Sequence, residues 1–305
     1  MSALTKVTVS PHIHSGKSTS GVMRDVLISL LPATVAGIII FGLRALLVVA
    51  LCVVCCVGFE ALFNVVTKKE QTVGDLSAAV TGLLLALNLP ANLPLWQCAV
   101  GSLFAIIVVK CLFGGIGRNV VNPAITARVF MLVAFGSMAK AAFPAIDAVG
   151  GATPLAAEQM PSLLTLFLGT HGGAIGETCA VALLIGGVYL IVKKVITWHT
   201  PVVFILTVFV FSLFMEGFDV IAALSMVLAG GLFIGAFFMA TDYTTSPPTA
   251  WGKMIFGVGA GLLTCLIRYF GNYPEGVSFA ILFMNILNPY ICKWTRHKVF
   301  TVGGK

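Results

Sequence analysis

The run ALLVVALCVVCCVGFEALFNVV, residues 45–66, is apolar over a length that a water-soluble core seldom needs. As a helix rising ~1.5 Å per residue it crosses the ~30 Å hydrocarbon core of a bilayer. In lipid, every backbone polar group must be satisfied within the protein, so such runs fold as helices or close into a barrel. No ten-residue alternating pattern accompanies them, which leaves helices. The whole chain agrees, with 59% hydrophobic and 10% charged residues, against about one quarter charged in soluble domains. The expectation is an all-α integral membrane protein.

Ten spans are predicted, at 26–41, 45–66, 76–89, 96–113, 124–135, 178–192, 201–215, 220–241, 254–270 and 277–292. The third and fifth are too short to cross alone. Segments of this kind are half-helices completed by irregular backbone that the protein itself buries. The first 21 residues are polar, with Lys6, His12, His14 and Lys17, so no cleaved signal peptide is expected.

Loop charges fix an orientation. With the N-terminus cytoplasmic, all but four of the 18 Lys and Arg fall on the cytoplasmic side, Lys110 among them. Arg44, Lys140 and Arg268 fall outside, and Arg128 lies within the fifth span. That bias supports ten crossings with both termini in the cytoplasm of a bacterial cell. The net charge of +7 is read as this orientation signal, with no nucleic-acid partner implied.

The two halves also look alike. NLPANLPLW, then a span, then Lys110 and FGGIGRNVVNPA answer ATDYTTSPPTAW, then a span, then Arg268 and FGNYPEGVSFA. Five spans per half makes the repeats inverted, with broken half-helices meeting near the midplane. The expected organisation is a cytoplasmic arm (1–24), a first five-helix repeat (25–135), an outer loop (136–177), a second five-helix repeat (178–292) and a cytoplasmic tail (293–305).

Within the outer loop stands DAVGGATPL, residues 147–155. Gly150 and Gly151 permit close backbone approach, Pro154 fixes the chain after Thr153, and Asp147, six residues earlier, could orient or deprotonate the threonine. The arrangement suits modification of the Thr153 hydroxyl by a second protein, or packing on a flat ligand; an ordinary Gly/Pro turn is the plainer reading. The short LLTLFL run at 163–168 cannot cross, and is expected at the interface or against the bundle.

Six blocks resemble one known family, in order and along nearly the whole chain. They are SPHIHSGKS at 10–18, VTGLLLALNLP at 80–90, FGGIGRNVVNPA at 113–124, LFLGTHGGAIGET at 166–178, ATDYTTSPPT at 240–249 and GNYPEGVSFAILFMN at 271–285. Together with the GAT sequence they are similar to the D subunits of Rnf ion-translocating ferredoxin:NAD oxidoreductases and to their homologues, the B subunits of sodium-pumping NADH:quinone reductases. The short N-terminal arm favours the Rnf type. The resemblance implies FMN joined through its phosphate to Thr153 by a separate flavin transferase, with Asp147, Gly151 and Ala152 as motif residues. It also admits a second, non-covalent flavin of the riboflavin type. The implied partners are the other membrane and peripheral flavin and iron–sulfur subunits, and the implied work is electron relay coupled to Na⁺ or H⁺ movement. No independent catalytic set is expected in this subunit, since hydride transfer to NAD belongs to a peripheral partner. A flavin-free channel or transporter would share the repeats but need no acceptor threonine.

Several polar residues sit where lipid should be. Arg128, a cation in a short apolar span, needs a partner: a flavin, or a buried carboxylate or carbonyl. Glu177 opens the sixth span as a cap, or stands beside the flavin. Asp75 and Asp242 are ion or flavin candidates by their place in the breaks, or interfacial caps. Asn88, Asn119 and Asn122 at Pro/Gly breaks suit the rescue of freed backbone groups. CVVCC at 52–56 reads as a packed helix face, and His12 with His14 as a surface contact lacking a third metal ligand.

Overall fold

The computed structural model describes residues 18–139, 155, 161–271 and 276–296. Among these the regular elements are helices. They are α1 (Thr19–Phe41), α2 (Leu43–Val66), α3 (Ser77–Leu87), α4 (Leu95–Cys111), α5 (Pro123–Ala134), α6 (Leu163–Leu168), α7 (Ala180–Val192), α8 (His199–Met215), α9 (Val220–Leu228), α10 (Leu232–Met239), α11 (Ala250–Phe270) and α12 (Val277–Thr295). Every one of the ten apolar runs holds helix. Four helices, α1, α2, α11 and α12, are each long and apolar enough to cross a membrane, and the bent pair α9–α10 makes a fifth.

The eighth run was expected as one helix over 220–241. It is two, bent by 64°. Ala229 is extended at ψ 144°, and Gly230 takes φ +71°, a conformation in which a side chain would be strained. Part of α10 (Gly235–Met239) and the second half of α4 (Phe104–Cys111) are wound as π-helix, a form that often marks functional segments.

Apolar side chains fill the core, as in a water-soluble protein, but they also cover the outside. Ile39, Leu43, Val54, Val192, Trp251 and Trp294 are between 69% and 75% exposed. Glu60, Asn64, Lys110, Arg128, Glu177 and Asn285 are buried. An apolar outside with charged side chains turned inward is the pattern lipid imposes. Cys52 and Cys56 lie buried on the inner face of α2, with Cys55 half-buried beside them.

The halves share a packing scheme. α2 packs on α3 and α4, and α4 on α5; α8 packs on α9 and α11, and α11 on α12. Between the halves, α1 lies along α7 and α5 against α12. Small residues set the closest approaches: a Cβ on Gly82 of α3 would stand 2.8 Å from the Cys52 carbonyl oxygen and 2.9 Å from Val53 Cα. Gly82→Ala is therefore expected to cost about 1–3 kcal/mol by overpacking. Gly58→Ala, with nothing within 4 Å, leaves stability intact. Thermal stability of the two variants in detergent checks the contrast, and equal stability would refute the close contact.

Candidate functional site

A half-helix that ends inside a membrane protein strands its last carbonyls. At the end of α3 these are met by Asn88, whose amide donates to the Leu84 carbonyl at 2.6 Å. The segment before α7 serves the rest: Gly176 N donates to Leu87 O at 2.7 Å and Ile175 N to Leu89 O at 3.1 Å. Arg128 of α5 then closes the group. Its Nη1 donates to Asn88 Oδ1 and its Nη2 to Glu177 Oε1, both at 2.7 Å. Of the partners open to Arg128 from the sequence, the structure supplies a buried carboxylate and a side-chain carbonyl. Glu177 does not cap α7, which starts at Ala180 after Cys179.

The second break has an arginine too. Arg268 of α11 donates to Met226 O at 2.6 Å and to Ala229 O at 3.0 Å, at the end of α9. A Cβ on Gly231 would meet Glu177 Oε1 at 2.7 Å. Glu177 therefore lies against both breaks at once. α6 packs on α7 and α9 near this place with Leu166 buried, so the LLTLFL run plugs against the bundle.

Nearer the other end, between α1, α3, the start of α5 and the ends of α7 and α10, lies a cavity of about 440 Å³. Val22, Val80, Leu84, Phe237 and Phe238 give it apolar walls; Thr81, Asn119, Asn122, Asp242 and Thr244 give it polar ones. Asn122 caps α5, accepting from Ala124 N and Ile125 N, and its Nδ2 reaches Met239 O at 3.4 Å. Asn119 donates to Val121 O at 3.1 Å. Both asparagines rescue backbone, as their sequence positions suggested. Asp242, in the connector after α10, accepts from the Thr244 and Thr245 hydroxyls at 3.0 and 3.1 Å. Burial pushes its carboxyl up, and those hydroxyls pull against that shift.

Lys110 corrects an expectation. Counted among cytoplasmic loop charges, it sits in the π-helical end of α4, 3% exposed, on the cavity wall. Its Nζ donates to both oxygens of Glu60 at 2.9 and 3.0 Å and to Ser77 Oγ at 2.6 Å. Thr72 donates to the same carboxylate at 2.8 Å, and Asn64 to Thr72 at 3.0 Å. Asp75 stands just before α3, whose N-cap is Leu76, and accepts from Ser77 N at 2.8 Å, so it meets one free N–H of the helix without being its cap. The Lys110–Glu60 pair was missed; one acid in one apolar run and one base in another was the signal.

Thr153, Asp147, Gly151 and Ala152, with His12 and His14, lie outside the described residues. Among the described residues, no three His, Cys, Asp or Glu side chains gather as a metal site.

A lipid-facing helical shell, broken helices inside it and cations buried against carboxylates define a multi-pass membrane protein with a polar interior. A model of the NQR2, RnfD, RnfE family matches residues 6–301, and the chain belongs to that family. It is 48% identical, over 97% of this chain and 95% of the relative, to the D subunit of the Na(+)-translocating ferredoxin:NAD(+) oxidoreductase complex of Acetobacterium woodii. It is 41% identical to the D subunit of the proton-translocating ferredoxin:NAD(+) oxidoreductase complex of Clostridium ljungdahlii, over 95% and 94% of the two chains. The D subunit of the ion-translocating oxidoreductase complex of Actinobacillus succinogenes is 33% identical over 98% of each chain.

Proposed function

We propose that this chain is the D-type membrane subunit of an Rnf complex, an ion-translocating ferredoxin:NAD⁺ oxidoreductase, and relays electrons within it. The observation that carries this reading is the full-length match to subunits so named, at 48% and 41% identity. Their names divide between Na⁺ and protons, so the reading specifies a cation and not which one. The other Rnf subunits are its partners, and the bacterial cytoplasmic membrane is its place, with both termini inside. The matched neighbour scheme of α1–α5 and α7–α12 supports ten crossings in two inverted repeats. In this reading Arg128 and Glu177 tie the breaks together.

Covalent FMN on Thr153 belongs to the same reading. The GAT motif with Asp147 upstream supports it, as does its place in the longest weakly apolar stretch. A tethered flavin can pass one or two electrons and stays at high effective concentration without a tight pocket. A quinone-reductase B subunit would share the acceptor, while a plain channel would not. In denaturing gels of protein made with its flavin transferase, the wild-type band is expected to fluoresce and Thr153→Ala to be dark. A dark wild-type band would sink the claim.

The cavity suits a second, non-covalent flavin. Its volume falls within the ~300–1,000 Å³ of small-molecule sites. Val80, Leu84, Phe237 and Phe238 would cover a flat ring, and Thr81, Asn119, Asn122 and Thr244 would meet its polar edge. Acid should release flavin from the D subunit purified free of its partners, in addition to the flavin retained in its protein band.

A further inference from the structure

One wall of the cavity carries chemistry that holding a flat ring leaves unused. Ser77 and Lys110 both line it. Behind them, Ser77 Oγ accepts from Lys110 Nζ at 2.6 Å and donates to Asp75 Oδ1 at 2.5 Å. Asp75 is half-buried, and the loop leading to it, residues 67–72, is exposed. Ser77 is 6% exposed. A single buried hydroxyl thus joins a carboxyl within reach of water to the wall of the cavity.

The rest of the cluster holds that hydroxyl still. Lys110 spends its other hydrogen bonds on Glu60, which also takes the Thr72 hydroxyl. The ammonium occupies the position a metal cation would need, so the cluster is not a cation cage. The charged and titratable neighbours are Glu60 and Cys56 on α2, Lys69 in the following loop, Cys111 next to Lys110 on α4, and Asp242 and Tyr243 across the cavity.

We propose that Asp75 and Ser77 form a proton inlet to the cavity, with Lys110 and Glu60 as positioning residues. Asp75, which accepts from Ser77 at rest, first takes a proton from water; the protonated carboxyl then donates to Ser77 Oγ while the Ser77 hydroxyl turns and passes its own proton to a basic atom of the ligand. Asp75 is left as the carboxylate that began the cycle. One proton enters and one leaves, and no electron moves in this step. The Lys110 ammonium stabilises negative charge on Ser77 Oγ during the exchange. The inlet rests on the reading that a redox ligand occupies the cavity and takes up protons when reduced.

The test uses the whole purified complex carrying Ser77→Ala, Ser77→Thr or Asp75→Asn. Turnover from reduced ferredoxin to NAD⁺ is followed against pH, alongside assembly and non-covalent flavin content. Ser77→Ala and Asp75→Asn should assemble and keep their flavin, yet lose about tenfold or more in turnover. Without the relay, protons must arrive directly, so the deficit should widen as pH rises. Ser77→Thr, which keeps the hydroxyl, should restore turnover. Wild-type turnover at every pH in either variant overturns the inlet. So does a pH-independent loss shared by all three with poor assembly, which would leave Asp75 and Ser77 with a structural role at the start of α3. A wild-type D subunit that holds no non-covalent flavin removes the flavin reading alone; a widening deficit in Ser77→Ala would then support an inlet serving another ligand.

Discussion

Glu177→Met is expected to leave little folded protein. Arg128 would remain 5% exposed, keeping the Asn88 carbonyl but losing the Glu177 carboxylate. A guanidinium does not give up its proton in proteins, so the charge stays. Removing one partner of a buried pair costs about 3–5 kcal/mol, a large share of the ~5–15 kcal/mol that holds a domain folded. The lost carboxylate also packs against Gly231, so both breaks loosen together. Arg128→Met should be milder. The orphaned Glu177 can take a proton, and doing so at neutral pH costs about 4 kcal/mol from the ordinary carboxyl value, which caps the penalty. Replacing both by Met should regain most of the loss, because apolar substitutes for a buried pair are often neutral. The monodisperse fraction after heating in detergent measures all three. Equal survival of Glu177→Met and the wild type would mean the pair carries no structural weight.

The pair also marks how far the sequence could be read. Helical segments were legible because lipid demands long apolar runs, and those runs stand out without any tertiary knowledge. The asparagines were legible for a local reason: Asn88 and Asn122 answer backbone groups within four residues, at 2.6 and 3.0 Å. The break at Gly230 was less so. Its Gly-Gly pair was visible, yet the flanking residues are continuously apolar, and what stabilises the break arrives from Arg268 and Glu177, far along the chain. Lys110 was misread because a basic residue near a run's end looks like an interface anchor. Only the pairing with Glu60, fifty residues earlier, turns it inward. Long-range partners of single charges leave no periodic trace in a sequence, whereas an acceptor motif such as GAT is contiguous and can be recognised by itself.

Lys110 and Glu60 should respond to pH in a way that Arg128 and Glu177 cannot, because either partner of this pair can become neutral. In Lys110→Met, Glu60 loses its ammonium and is held in a dry site by the Thr72 hydroxyl. A carboxylate without its counter-ion is costly in such a site, so the folded variant is favoured where the carboxyl is neutral. The penalty is full at high pH and shrinks as pH falls toward the ordinary carboxyl value of about 4.3. In Glu60→Gln, Lys110 keeps Ser77 but loses its counter-charge, so an ammonium is left uncompensated in the same dry site. That penalty shrinks as pH rises toward about 10.4. At neutral pH the ceilings are about 4 kcal/mol for Lys110→Met and about 5 kcal/mol for Glu60→Gln, the costs of neutralising each orphan. Stability against pH should therefore slope in opposite directions for the two variants, by up to about 1.4 kcal/mol per pH unit. The wild type stays nearly flat between them. Parallel slopes would show that the two groups are not each other's charge partner, and the buried geometry at 2.9 Å would need another source of compensation. Opposite slopes would show that this membrane interior holds a proton on either side of the pair according to which partner is left. That is the property a wall needs if the hydroxyl beside it, Ser77, is to hand protons inward.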